Sequence, residues 1–470
     1  MSDDIALMTA SALVKLYRSG ALSPVEATRA ALDRIARYDD KLNAFNLVAA
    51  ESARAAAAQS EERWRLGAPR GPIDGVPTSI KDVLLTRGWP TLRGSKAIDR
   101  DQPWEEDAPS VARLREHGAV MLGKTTTPEF GWKGITDSPL DGITRNPWNP
   151  ATTPGGSSGG ASAALAAGMG ALALGSDAGG SVRIPAGFTG VFALKATFGR
   201  VPAWPLSPFG TLANIGPMTR SVTDAALLLN VMCEPDPRDP YSLPYADNDY
   251  LHGLEDGIEG LKIAFSPTLG GHKVDPEIAV LVERAVQVLG DLGAEIVEAE
   301  PDTAGAAEVF RIHWYAGAAK LLQRFDAAAI AQMDPGLREV AEEGRSYGLL
   351  DYMGAVARRE ELTVAANRFH QDYDLLVTPS LPIPAFEAGE EVPRGSGMTR
   401  WPEWTPFTYP FNLTKQPAAS LPCGLTRQGL PAGLQIVGPR FADALVLRAA
   451  RAYEKAAPWT FPDLAQTLKD

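Results

Sequence analysis

Histidine is scarce in this chain. Five occur, His117, His252, His272, His313 and His370, and none is spaced as HxH or HExxH, so a zinc centre has no ligand set. Cysteine is scarcer still. Cys233 and Cys423 alone argue against a disulfide framework and against a thiolate metal site, and both read as small buried side chains. No apolar run approaches the roughly 20 residues needed to cross a bilayer, and the N-terminus MSDDIALMTA carries two acids where an export signal would carry positive charge. A soluble, cytoplasmic chain with no membrane partner is expected. Positive charge is also in deficit: 45 Lys and Arg against 57 Asp and Glu leave a formal charge of −12, and no basic run with interleaved aromatics offsets it. Charge therefore argues against nucleic acid as a partner. Any acid–base chemistry here is expected to use a base other than histidine.

What is present is a long α/β alternation. Residues 1–70 read as a helical arm, with Ser23 as N-cap, Pro24 at the first helical position and Glu26 closing a capping box. From Gly71 short apolar runs alternate with helical stretches, including a helix over 106–117 and a strand over Ala119–Gly123. After a helix over 222–232, the Pro/Asp-rich connection 234–260 reads as a surface excursion, because the rhythm resumes with a strand at Leu261–Phe265. A helix begun by Asp275 and Pro276, a strand at Glu295–Val297, helices over 303–333 and 351–371, and a strand at Leu375–Pro379 follow. Segment 381–411 has no period and is rich in Pro, Gly, Glu and Trp, so a lid or pocket wall is expected there. Strands at 418–425 and 433–437 and a helix over 441–456 close the chain.

The most unusual stretch is 154–182: a Gly/Ser loop, an Ala-rich helix, an apolar strand and a second Gly-rich loop ending at Ser181. A helix of about ten residues and a strand of about five run similar distances, so the chain returns on itself and Ser157 meets Ser181. Three readings compete. A P-loop needs GxxxxGK[ST], and no lysine follows the glycines. A nucleophile elbow is satisfied by Gly156-Ser-Ser-Gly-Gly160 with Ser158 attacking, and would draw on His370 with Asp351 or Asp372. In the third, Ser181 attacks beside the N–H groups of Ala178, Gly179 and Gly180, and Lys81, ending an apolar run, is the base that burial renders neutral.

Several motifs together carry a family resemblance: Gly75-Val-Pro-x-x-Ile-Lys-Asp82, Asn146-Pro-Trp, Pro154-Gly-Gly-Ser-Ser-Gly-Gly160, Ser176-Asp-x-Gly-Gly-Ser-x-Arg-Ile-Pro185, Gly216-Pro-Met-x-Arg-Ser-Val-x-Asp224, and Leu421-Pro-x-Gly-Leu with Gly429-Leu-Pro-x-Gly-Leu-Gln-Ile-Val-Gly438. On these the chain resembles the amidase signature family, which includes bacterial amidases, fatty acid amide hydrolases and the glutamyl-tRNA amidotransferase A subunit. The resemblance implies an α/β fold whose mixed central β-sheet is covered by helices on both faces. It implies one amidase domain over 1–470, with the arm at 1–70, the catalytic core at 71–225 and the rest of the α/β core at 226–470. It further implies a serine hydrolase of carbon–nitrogen amide bonds working through an acyl-enzyme. Ser181 is then the nucleophile, Ser157 the bridging serine on a cis Gly156–Ser157 peptide, and Lys81 the base. Ala178, Gly179, Gly180 and Ser181 form the oxyanion hole, and Ser158, Asp177 and Arg183 support the site. Neither cofactor nor metal is implied.

The expected partner is a small-molecule amide, aryl or apolar, with esters or carbamates (urethanes) open to the same chemistry and a homodimer left open. Gly131, Trp132 and Lys133 fall where the family flanks its acyl pocket, and Trp401, Trp404, Phe407 and Tyr409 are expected to close it. The alternative is the glutaminase-type A subunit of a tRNA-dependent amidotransferase. That protein usually carries Ser-x-Asp before Gly-Pro, where this chain has Thr211-Leu-Ala-Asn-Ile-Gly-Pro217. Lys415 stands where many relatives have glycine.

Overall fold

A computed structural model describes residues 2–244 and 249–468; residues 245–248 of the predicted surface excursion lie outside the described residues. The capping signals at the N-terminus act as written. Ser23 Oγ accepts the N–H of Glu26 and the Glu26 carboxylate accepts that of Ser23, starting the helix Pro24–Leu42. The arm is held to the core by the motif at 216–224. Arg220 donates to the carbonyls of Leu165, Gly170, Ala6 and Met8, and Asp224 accepts the N–H groups of Ala10 (2.7 Å) and Ser11 (2.9 Å). That motif is structural.

Among the described residues, eleven strands form one sheet. Its order is Phe45–Val48, Val120–Thr125, Pro77–Lys81, Leu172–Asp177, Asn214–Thr219, Phe192–Lys195, Ala418–Leu425, Pro431–Val437, Leu375–Pro379, Lys262–Phe265, Glu295–Glu298. Pairing is parallel from Val120–Thr125 through Pro77–Lys81 to Leu172–Asp177 and again among the last three strands, and antiparallel elsewhere. The fold is α/β with a mixed sheet. Helices Gly159–Ala166 and Arg183–Thr189 lie against it together, while Val222–Met232, Pro276–Asp291 and Asp443–Ala456 pack on one another and on other parts of it. Because the sheet draws strands from residues 45 to 437, the segments 71–225 and 226–470 share one core.

The strands Phe192–Lys195 and Asn214–Thr219 are not among those the sequence reading gives, and the helix expected over 303–333 is two, Ala306–Leu322 and Ala327–Ala331; two further differences have local causes. The helical arm contains a strand, Phe45–Val48, whose pairing with Val120–Thr125 makes it a sheet edge. Four residues of mixed polarity offer too little period to announce this. The helix Pro335–Ser346 is the second addition, although Asp334 caps it and Pro335 opens it, the same signal that correctly marks Asp275 and Pro276. Lys415 has a φ of +64°, the left-handed region, which accounts for the glycine in its relatives.

Candidate active site

Lys81 ends the fully buried strand Pro77–Lys81 at the middle of the parallel segment. The neighbouring strand Leu172–Asp177 aligns Leu174 with Ile80, which brings Ser176 beside Lys81. Lys81 Nζ lies 2.7 Å from Ser157 Oγ, 3.0 Å from Ser158 Oγ and 2.9 Å from Ser176 Oγ. The lysine is wholly buried, and desolvation holds it well below its ordinary pKa against the opposing pull of the Asp177 carboxylate. Sequence reasoning gives Ser176 no role, though it lies inside one of the family motifs.

The loop–helix–strand return works through a helix, Gly159–Ala166, whose eight residues are all buried. A helix apolar on every side belongs inside the protein, and here it closes the path from one Gly-rich loop to the other. The Gly156–Ser157 peptide is cis, as the resemblance implies. Ser158 N–H donates to the Ser181 carbonyl at 3.0 Å, tying the two loops together. Ser157 and Ser181 both line one cleft. Their hydroxyls share no hydrogen bond among the described residues, and such contacts commonly tighten when substrate is bound.

Asp177 and Arg183, both wholly buried, form a two-pronged ion pair with both N···O distances 3.0 Å. Arg183 also donates to Gln435 Oε1, Asn412 Oδ1 and the Thr408 carbonyl, which explains why the late Gln-containing motif and the 401–411 segment belong to the site. Burial by itself would raise the Asp177 carboxyl; the Arg183 guanidinium overrides it and, with Asn412, holds that carboxyl at about 2. The folded value is depressed, so this contribution to stability is present above the ordinary carboxylate range and is lost as pH falls through about 2. Asp177→Ala, which strands a buried arginine, is expected to cost about 3–5 kcal/mol, measured by urea unfolding at neutral pH.

The Gly180 N–H corrects one expectation. It donates to Asp177 Oδ1 at 2.9 Å, so in this conformation it is committed to that carboxylate. The N–H groups of Ala178, Gly179 and Ser181 have no hydrogen-bond partner among the described residues. Gly180 has a φ of +123°, and a Cβ there would come within 2.4 Å of Thr408 Oγ1, so both conformation and space require glycine.

The cleft walls differ from those predicted. Gly131 lines the cleft, and a Cβ on it would lie 3.1 Å from Ser157 Oγ. Trp132 and Lys133 do not: Trp132 is buried in the aromatic core, and Lys133 pairs with Asp137 and Asp334 at 2.8 Å each. Trp401, Trp404, Phe407 and Tyr409 are likewise buried and absent from the cleft lining. The 381–411 segment therefore braces the back of the Ser181 loop, with Thr408 Oγ1 bonding the Gly179 carbonyl at 2.7 Å. The observed wall comes from the aperiodic Pro/Trp-rich run 202–209, with Phe209 stacked on Trp314 at 3.7 Å, and from Leu84, Phe130 and Leu321. Its signal in the sequence is that run of Pro, Trp and Phe directly after a strand–loop motif.

Other candidates separate on geometry. Burial also lowers Lys124, to about 8, and Lys195, to about 7. Lys124 bonds the Leu84 carbonyl and Thr91, and Lys195 the carbonyls of Ala196 and Gln416, so neither touches a serine. His370 caps the helix Leu349–Phe369 and contacts the Tyr373 carbonyl, and it is not among the cleft-lining residues, so the elbow reading has no base at Ser158. Asn146 Nδ2 donates to the carbonyls of Thr153 (3.1 Å) and Phe188 (2.9 Å), a brace for the Gly/Ser loop. No helix among the described residues is long and apolar enough to cross a membrane.

Known proteins are similar to this chain in sequence and in fold. A model of the amidase family matches residues 26–447. An acylamidase of Rhodococcus erythropolis is 37% identical over 468 residues, covering 98% of each chain. The A subunit of the glutamyl-tRNA(Gln) amidotransferase of Chloroflexus aggregans is 36% identical, covering 98% of this chain and 99% of its own. The solved structure of a bacterial aryl acylamidase of the amidase signature enzymes superposes with a TM-score of 0.89 at 32% identity, covering 96% of both chains. The chain belongs to the amidase family and is an amide-hydrolysing enzyme.

Proposed function

We propose that Lys81, Ser157 and Ser181 form a proton relay that cleaves amides through an acyl-enzyme, and the observation that carries this is the hydroxyl cage around the buried amine. A neutral amine has two N–H donors and one lone pair, which three hydroxyls satisfy together. Ser158 Oγ gives its proton to the Ser176 carbonyl at 3.2 Å and can only accept from the lysine. The hydroxyl protons of Ser157 and Ser176 both lack a carbonyl acceptor among the described residues, and Ser157 lies nearer the amine, at 2.7 Å against 2.9 Å, so the proposed relay runs from Ser157 to the Lys81 lone pair. As Ser157 yields that proton it takes the one on Ser181, and Ser181 Oγ adds to the amide carbonyl. The oxygen that becomes negative meets the free N–H groups of Ala178, Gly179 and Ser181. The relay then returns the proton to the departing amine nitrogen, and water, deprotonated by the same relay, releases the acid.

The cleft wall of Trp204, Leu206, Phe209 and Trp314 suits aryl and apolar amides, and the same addition step serves esters and carbamates. The 36% identity to an amidotransferase A subunit supports the glutaminase reading as the alternative, against the missing Ser-x-Asp. Turnover by the purified single chain separates the two. It is expected to cleave 4-nitroacetanilide and aryl carbamates without a partner. Glutamine hydrolysis as its sole activity, with all anilides inert, would overturn the aryl-amide reading.

A further inference from the structure

The cleft that holds Ser157 and Ser181 is lined by apolar and small residues, with two exceptions: Arg93 and Arg324 are its charged lining residues. In a chain of formal charge −12, the wall facing the nucleophile is positive. Neither guanidinium has a carboxylate partner among the described residues, whereas Arg183, Arg63, Arg113, Arg238 and Arg400 are each paired. Asp82, which takes the backbone N–H of Arg93 and attracts its charge, makes no ion pair with the guanidinium among the described residues. It accepts from Asn46 at 2.8 Å, lies 3.4 Å from Lys124 and takes the backbone N–H of Arg93 at 2.9 Å.

Arg93 is also held there at a cost. Its φ is +56°, in the left-handed region that non-glycine residues seldom occupy. The conformation is enforced from both sides, by the bond from its N–H to Asp82 and by its carbonyl, which accepts Phe130 N–H at 2.7 Å. A strained residue fixed in a cleft with an unpaired charge points to a ligand as the missing partner. Arg324 follows the C-terminus of the helix Ala306–Leu322, where the helix dipole favours a cation, and Trp314 and Leu321 of the same helix wall the cleft. Both arginines line the same cleft and their like charges repel, and an anion bound there relieves that repulsion.

We propose that Arg93 and Arg324 form an anion subsite, and that the amides this enzyme cleaves best carry a carboxylate on the arm lodged in the cleft. This rests on the reading of Ser181 as the nucleophile of that cleft. Carboxylate recognition by a pair of guanidiniums is directional and charge-assisted. It is worth about ten- to a hundredfold in kcat/KM relative to a neutral isostere.

Two substrate pairs test it and locate the carboxylate. On the acyl side, the 4-nitroanilide of succinic acid is set against that of butyric acid; on the amine side, 4-acetamidobenzoate is set against 4-acetamidobenzamide. In one pair the anionic member is expected to be preferred at least about tenfold. That ratio is expected to fall about tenfold or more in Arg324→Gln and in Arg93→Gln, and to be partly kept in Arg93→Lys. Arg324 is exposed, so its variant tests the subsite even where Arg93→Gln folds poorly. Neutral members cleaved as well as anionic ones in both pairs, or a preference that survives Arg324→Gln, would overturn the subsite while leaving the hydrolase reading intact. If no member is cleaved, calorimetric titration of the same four compounds decides. Selective binding of an anionic member, lost in Arg324→Gln, keeps the subsite and removes these anilides as substrates; equal binding overturns the subsite.

Discussion

Ser181→Ala is expected to lower kcat/KM for a 4-nitroanilide by at least about 10⁴-fold and to abolish formation of an acyl adduct on the intact protein. The magnitude follows from what the cleft offers in its place. Ser157, the other serine hydroxyl beside the site that could attack, is bonded to Lys81 at 2.7 Å and passes the proton in the proposed relay. Ser176 and Ser158 are on the same amine, so each is a relay neighbour and not a spare nucleophile. In the proposed site the free N–H groups of Ala178 and Gly179 would still polarise a carbonyl without Ser181, which sets a floor of residual catalysis above zero. Mass measurement after mixing with an activated aryl ester reads the adduct directly: wild type gains one acyl mass at Ser181, and Ser181→Ala gains none. His370→Ala runs in parallel. It is expected to stay within about threefold of wild type, since His370 contacts the Tyr373 carbonyl at the end of its helix. A large loss in His370→Ala with an active Ser181→Ala would return the elbow reading and remove this one.

The site is legible in the sequence to a different degree in each layer. Lys81 and Ser181 stand out because a chain poor in histidine points to another base, and because Gly-rich loops separated by one helix and one strand return to the same place; the part proposed for Ser157 comes from the family resemblance. That return is real, and the all-buried helix Gly159–Ala166 is its hinge. The supporting ion pair is legible in part: Asp177 and Arg183 stand six positions apart in one motif, but Gln435 reaches Arg183 through the sheet order and Asn412 from the short helix Pro410–Leu413. The walls are not legible. Trp401 and Trp404 resemble a pocket because tryptophan in an aperiodic loop fits a core and a cleft equally well, and tertiary packing sends both inward. Lys133 reads as a pocket charge because its partners, Asp137 and Asp334, are 4 and 201 residues away; the distant one gives no local signal. Arg93 and Arg324 escape sequence reasoning on the same ground. They are far apart in the chain and gain meaning only when the cleft brings them together.

Removing the base tests the relay itself. Lys81→Ala is expected to lose at least about 10³-fold at neutral pH, and Lys81→Arg is expected to lose as much, because a guanidinium keeps its proton at any workable pH. Wild-type activity is expected to rise with pH. The working form is the neutral amine, so below the lysine pKa kcat/KM falls about tenfold for each unit of pH, and above it the curve is flat. Burial moves that break downward from the ordinary lysine value. Asp177, wholly buried nearby, acts the other way by favouring the ammonium. Neutralising it as Asp177→Asn is therefore expected to move the break further down, wherever the variant folds. This shift distinguishes a titrating lysine from a purely structural one: a lysine that only braces the serines would give a loss in Lys81→Ala with no pH break in wild type and no shift with Asp177. A profile flat down to pH of about 5 would remove Lys81 as the base, leaving the three-hydroxyl cage as a structural brace around it.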